Sequence, residues 1–260
     1  MQLPFAKYQA IGNDFILINN FDNLFRYTPT LVQQLCHRQF GIGADGIVTI
    51  EKKEGYDFSI LHYNADGSRG GGFCGNGTRC ALHYAIHLGL VQQEAFFVAF
   101  DGIHTGYLRN DLIHLKLKDI DHAIQPLYTG YFINNGTNHY VEIVSNVAQV
   151  NMMTMGLAKR KMVPFEKEGV NLSFVQLMHD SIFVRTCECG LEYEPLSCGT
   201  GAVASALIAS SYYGLKSPVK VVTKGGDCSV TFTSLPDGKF KDIYLNGPVY
   251  QVFQGIIRLD

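Results

Sequence analysis

Two cysteines in this sequence open onto the same local pattern. Residues 73–80 read FCGNGTRC, and residues 197–205 read SCGTGAVAS. Each Cys-Gly-x-Gly leads into an apolar run of helical length. A helix start presents backbone N–H groups without intrahelical partners and a positive potential. A thiol placed there is expected to fall below its usual value of about 8.5 and to favour thiolate. The same amides can hold a carboxylate, and the glycines let a ligand approach the backbone closely. The plainer readings are a structural disulfide or two buried apolar cysteines, but burial alone does not require glycine around a helix start. Taken as a pair, the cysteines can invert an α-carbon. One thiolate removes the α-proton from one face of an amino acid, and the opposite thiol returns a proton to the other. The carboxylate held by the helix starts becomes the stabilised enolate-like group. A thiolate is a weak base for such a carbon acid, so the chemistry requires a preorganised site closed to water.

Other clusters carry less. GIGADG (41–46) fits G-x-G-x-x-G but follows a helical pattern and precedes a strand, so it reads as a turn. GGGFCG (70–75) fits it too, through Gly70, Gly72 and Gly75, with a strand before and a helix after. Asp101 then stands where a ribose-binding acid would. This supports a dinucleotide-dependent oxidoreductase as an alternative, although NADGSRGG is long for a dinucleotide turn and the second Cys-Gly-x-Gly goes unexplained. His83 and His87 are spaced i, i+4, but HYAIH lacks the metalloprotease glutamate and Arg79 shares the face, so a polar helix face is expected. Cys187 and Cys189 form C-x-C with no second pair at zinc-finger spacing.

The elements that must position the cysteines repeat as well. In the first half, FILIN (15–19), GIVTI (46–50) and YDFSILHY (56–63) read as strands, and 28–39 as a helix capped by Thr28 with Pro29 in its first turn. The helix after Cys74 is expected to run to about Leu88, with AFFVAF and LIHLKL as strands beyond it. In the second half, NLSFVQL (171–177) and SIFVRT (181–186) precede the helix after Cys198, which Gly214 ends. VKVVT and CSVTFTS then flank a Gly225-Gly226 turn. Strands, a cysteine-led helix and a hairpin thus occur twice, an internal duplication of about 120 residues per unit. Residues 151–170 are of mixed charge and are expected to carry a short helix.

Composition allows a sizeable core. The 260 residues are 47% apolar with a net charge of −2, which leaves no basic footprint for nucleic acid and no polybasic membrane patch. No apolar stretch reaches the ~18 residues of a membrane helix. The N-terminal MQLPFAKYQAIGNDF lacks the basic and apolar regions of a signal peptide. Seven cysteines without such a signal point to thiols in a reducing cytoplasm.

GNDF (12–15), GIGADG (41–46), YNADGS (63–68), CGNGTRC (74–80), NLSF (171–174) and CGTGA (198–202) occur in one order along the chain. On these residues the chain resembles the diaminopimelate epimerase family, amino-acid racemases that use no pyridoxal phosphate, over nearly its whole length. The resemblance implies a mixed α/β (α+β) fold of two pseudo-symmetric units, each a curved sheet or barrel around a central helix, with the active site in the cleft. Residues 1–120 would form one unit, with 250–260 returning to it, and 121–249 the other. It implies Cys74 and Cys198 as the acid/base thiols, with His139 and Glu188 supporting them and the α-amino group. Asn13, Asn64 and Asn171 match substrate-binding side chains, and Gly75 with Asn76 and Gly199 with Thr200 match carboxylate nests. No metal or cofactor is implied. The partner is a small amino-acid substrate, with neither nucleic acid nor membrane, and a homodimer is a candidate assembly.

Two positions depart from the family pattern. The usual Glu-Arg-Gly reads Glu188-Cys189-Gly190, so the arginine expected at the distal carboxylate of diaminopimelate is Cys189. Gly-Asn-Pro-His reads Gly136-Thr137-Asn138-His139, which puts Thr137 at a distal asparagine position. A buried carboxylate without a charge partner is costly; Arg69 and Arg185 are the substitutes the sequence offers. The expected reaction is conversion of LL-diaminopimelate to the meso form, with a relaxed racemase acting on an amino acid such as glutamate as the same-class alternative.

Overall fold

The computed structural model describes residues 2–161 and 169–258. It divides into two units, one of Met1–Leu115 with Gly247–Asp260 and one of Lys116–Asn246.

The first unit contains β1 (Gln2–Ala10), β2 (Asn13–Asn19), β3 (Gly46–Glu51), β4 (Phe58–Asn64), β5 (Glu94–Ala99), β6 (Gly102–Arg109), β7 (Leu112–Lys116) and β16 (Tyr250–Arg258). They lie in the order β16-β1-β2-β3-β4-β5-β6-β7. β2/β3 and β4/β5 pair in parallel and the other neighbours antiparallel. Parallel neighbours need a crossover. Here these are α1 (Pro29–Cys36) and α2 (Gly75–His87). In β2, Phe15, Ile16, Leu17 and Ile18 are all buried, because this strand is covered on both faces. Ile16 and Ile18 join Val32, Leu35 and Cys36 of α1 in one cluster, while α2 packs against β1–β4 and β6.

The second unit repeats this succession. Its strands β8 (Gln125–Leu127), β9 (Gly130–Asn134), β10 (Asn138–Ile143), β11 (Asn171–Leu177), β12 (Ser181–Cys187), β13 (Val219–Thr223), β14 (Gly226–Ser234) and β15 (Phe240–Gly247) lie in sequence order. β10/β11 and β12/β13 are the parallel pairs. The position held by β8 here is held by β16 in the first unit. The central helix, α4 (Gly199–Tyr213), packs on β9–β14 and is buried from Gly199 through Ala209. Its small residues allow the sheet to approach on several sides, and Gly214, at φ +77°, ends it in the left-handed region that glycine enters without penalty.

Several expectations needed correction. The helix read over 28–39 stops at Cys36. Its N-terminus is as anticipated, with Thr28 Oγ1 accepting from Leu31 N at 3.1 Å. At its end, however, the Leu35 carbonyl accepts from Ile42 and Gly43, which turns the chain back. β1, β6, β8–β10 and β15 are additions to the strands read from the sequence. The short helix expected in 151–170 is present as the one-turn α3 (Leu157–Arg160), preceded by a π-helical turn at Met152–Gly156; 162–168 lie outside the described residues. Among the described residues, no helix is long and apolar enough to cross a membrane.

Candidate active site

Each signature cysteine is the N-cap of its unit's central helix. Cys74 has φ −110° and ψ 99°, and its sulfur accepts from Gly77 N at 3.4 Å. Cys198 has φ −126° and ψ 114°, and its sulfur accepts from Gly201 N at 3.3 Å. The thiol takes the place that a serine or aspartate oxygen fills at an ordinary helix start. An amide donating to sulfur favours thiolate, which accounts for the sequence motif.

In the first unit, Asn13 at the start of β2 presents Oδ1 to the site. That oxygen lies 3.3 Å from Asn76 Nδ2 and 4.0 Å from Cys74 Sγ. Asn76 is fixed from behind by Arg79, a fully buried arginine whose Nη2 donates to Asn76 Oδ1 at 3.0 Å. Asn64 ends β4, where its Nδ2 donates to Ser68 Oγ at 2.9 Å across the NADGS turn. His62 shares a small cavity with Cys74 and Phe73, and burial pushes it down to about 4, so the ring is neutral near pH 7.

In the second unit, the helix-start expectation for Cys198 is overturned. Its thiol is pushed well above the usual range, first by burial and then by the Glu188 carboxylate, which also accepts its hydrogen bond. The Gly201 amide and the Thr200 hydroxyl, 3.6 Å from the sulfur, act the other way and are outweighed. His139 on β10 is fully buried and driven down to about 3 by that burial, so it too is neutral. Its Nε2 meets Thr137 Oγ1 at 3.0 Å, and its Nδ1 has no hydrogen-bond partner among the described residues. Asn171 stands beside His139 across the β10/β11 pair, and its Oδ1 accepts from Cys189 N at 2.8 Å.

Of the two arginines named from the sequence, Arg185 is committed within its own unit. Arg185 forms a two-point ion pair with Glu194, both distances 2.7 Å, and donates to the carbonyls of Val147 and Val150. Arg69 lies over the ring of Tyr27, 5.0 Å from its centroid. Arg160 Nη1 donates to the Glu188 carbonyl at 2.7 Å and so braces the segment that presents Glu188 and Cys189. The C-x-C pair splits, with Cys187 buried in the core and Cys189 exposed. The dinucleotide alternative loses its acid, since Asp101 Oδ1 is paired with His104 Nε2 at 2.7 Å.

The sequence profile described as diaminopimelate epimerase matches residues 5–104 and 131–251. The chain belongs to the diaminopimelate epimerase family. It is 35% identical over 256 residues to the diaminopimelate epimerase of Flavobacterium psychrophilum, covering 96% of this chain and 98% of that one. It is 34% identical to that of Aquifex aeolicus, covering 97% of each. Among solved structures, the phenazine biosynthesis protein of the PhzF family from Bacillus anthracis superposes with a TM-score of 0.74 over 100% of both chains. At 13% identity, that likeness concerns the fold alone.

A diaminopimelate epimerase family member carrying these side chains also has polar groups that sequence reading missed. GIGADG, read as a turn, contributes Asp45, whose Oδ2 accepts from Asn13 Nδ2 at 2.7 Å. The available signal was a pair of acids, Asp14 and Asp45, set around Arg38. The arginine binds both, at 2.9 and 2.7 Å.

Proposed function

We propose that this chain interconverts LL- and meso-diaminopimelate by proton transfer at the α-carbon, with Cys74 and Cys198 as the two acid/base groups. The observation that carries this reading is the duplicated N-cap, in which a cysteine sulfur sits on the amide of its own helix start in both units. Burial and Glu188 keep Cys198 protonated at rest, so it is the proton donor, and Cys74 takes the base role in that direction. The reverse direction exchanges the roles. The amides at Gly75–Asn76 and Gly199–Thr200 hold the substrate carboxylate, where negative charge develops as the α-proton leaves. Neutral His139 offers an unpartnered nitrogen for the α-amino group or a thiol proton. Asn13, Asn64 and Asn171 supply amides for the rest of the substrate.

Cys189 supports a second reading of the same chemistry on a shorter or differently charged amino acid such as glutamate, because Arg185 is already held by Glu194 and two backbone carbonyls. The test is a panel of L-amino acids in D2O, following α-proton exchange and optical rotation. Exchange with inversion on diaminopimelate above all others is expected. Exchange confined to another amino acid would move the assignment to that substrate, and none with any member would overturn the reading.

A further inference from the structure

The turn that ends in Asp45 has a role in the chemistry. β2 and β3 start side by side, with Phe15 opposite Gly46, which sets Asp45 against Asn13 and Asp14. Asp45 Oδ2 accepts from Asn13 Nδ2 at 2.7 Å and from the Asp14 amide at 3.3 Å, while its Oδ1 accepts from Arg38 Nη2 at 2.7 Å. An amide side chain has two ends of similar shape and opposite hydrogen-bonding role. An ionised carboxylate only accepts, so Asp45 draws the NH2 end of Asn13 to itself and leaves the carbonyl end facing Cys74 and Asn76. From the other side, Arg79 holds Asn76 so that its NH2 meets the same carbonyl. Both neighbours therefore enforce one orientation of Asn13.

That orientation matters for a thiol that must take up a proton. A carbonyl oxygen near Cys74 Sγ favours S–H over thiolate and raises the basicity of the sulfur. An NH2 in the same place would do the reverse. We propose that Asp45 is a positioning residue which, through Asn13, aims a carbonyl at Cys74 and sets the proton affinity of that thiol. The inference rests on the reading of Cys74 as an acid/base thiol, but its test needs no substrate. Among the described residues, Cys80 on α2 and His62 on β4 lie by Cys74; Arg79 and Asp14 act on Cys80, and Lys7 on β1 and Arg38 pair with Asp14.

Asp45→Asn inverts the relay by a definite route. Arg38 would still demand an acceptor, which turns the oxygen of the substituted amide towards the guanidinium and its NH2 towards Asn13. Asn13 would then flip, bringing its own NH2 to Cys74. The measurement is the pH dependence of alkylation of Cys74 and Cys198 by iodoacetamide in the folded full chain, resolved by peptide mass spectrometry. In Asp45→Asn the Cys74 midpoint is expected about one pH unit lower, with the Cys198 midpoint unmoved. Removing the Asp45 charge acts in the same direction, so the deciding comparison is a cycle with Asn13→Leu. Asn13→Leu alone should move the midpoint, by the loss of the carbonyl against the desolvation that the leucine adds, and adding Asp45→Asn should then change it little. Additive shifts would mean that Asp45 acts on Cys74 by charge and not through Asn13, and would overturn the proposal. Equal shifts at both cysteines, or none at Cys74, would do so as well. If Asp45→Asn does not fold, Asn13→Leu still decides, since an unmoved Cys74 midpoint there removes the carbonyl from the argument.

Discussion

Cys198 and Glu188 show one residue setting the working state of another. Nearly buried and with a carboxylate as its hydrogen-bond acceptor, the thiol is held well above its ordinary range despite standing at a helix start. Glu188→Gln removes the negative charge and should bring the alkylation midpoint of Cys198 down, while burial, the larger cause, still holds the thiol above its ordinary range and protonated near neutral pH. Cys74→Ser and Cys198→Ser should each lower inversion at least ~100-fold, the usual weight of a positioned acid or base; near wild-type turnover in either would refute the two-thiol mechanism. On the proposed reading Cys189 faces the distal carboxylate, so Cys189→Arg would supply a bidentate partner worth about 10- to 150-fold in affinity. KM for diaminopimelate should drop and activity on glutamate should weaken, which steady-state kinetics on both substrates will report. His62 and His139 add a dependence on pH. Their folded values, about 4 and about 3, lie below the ordinary 6.5, so the unfolded chain binds more protons between those limits. The stability they confer is complete above pH 6.5 and is lost as pH falls towards 3. Melting temperature should therefore drop across that window, and His139→Gln should flatten the slope.

The two central helices are alike in plan but not in tolerance. A methyl group on Gly201 would lie 2.8 Å from Thr186 Oγ1 and 3.2 Å from Ser173 Oγ. Those hydroxyls are buried and bonded to each other at 2.9 Å, and the branched threonine has little rotamer freedom to yield. On Gly77 the corresponding methyl would meet Phe15, Val48 and Cys74 Sγ at 3.4–3.5 Å, ordinary contact distances. Gly201→Ala is thus expected to destabilise by ~1–3 kcal/mol, as overpacked sites do. Gly77→Ala should be neutral or slightly stabilising, since alanine is the better helix former. Denaturant melts of the two variants separate these outcomes. Both helices were legible in the sequence because Cys-Gly-x-Gly and Gly214 mark their ends chemically. β6 and β9 were not, since GIHTGYLR and GYFIN mix glycine with polar residues and owe their strand form to neighbours already in place. α1 ended early for a reason outside its own sequence, the return of Ile42 and Gly43 to the Leu35 carbonyl. Asp45 escaped notice for a similar reason: its partner Asn13 is set beside it by strand pairing, which a reading of GIGADG alone does not contain.

At the scale of the whole molecule, the duplication among the described residues runs strand for strand, with the same succession of parallel and antiparallel neighbours in each unit. The sequence conveyed the cysteine-led halves but not this count, because the weakest strands, β8 among them, are three to five residues long. The first unit takes its outermost strand from the far end of the chain. β16 pairs with β1 from Gln2↔Arg258 to Gln9↔Tyr250, with Phe253 against Phe5 and Gln251 accepting from the Tyr8 hydroxyl at 3.2 Å. The second unit, by contrast, is continuous in sequence. During synthesis, therefore, the unit begun first is finished last. All of Lys116–Asn246 has left the ribosome before β1 meets its outer neighbour. At about 5–20 residues per second, β1 waits on the order of 10 to 50 s with one row of backbone groups open to any passing strand. The newborn chain thus has an interval of vulnerability that the finished protein gives no sign of.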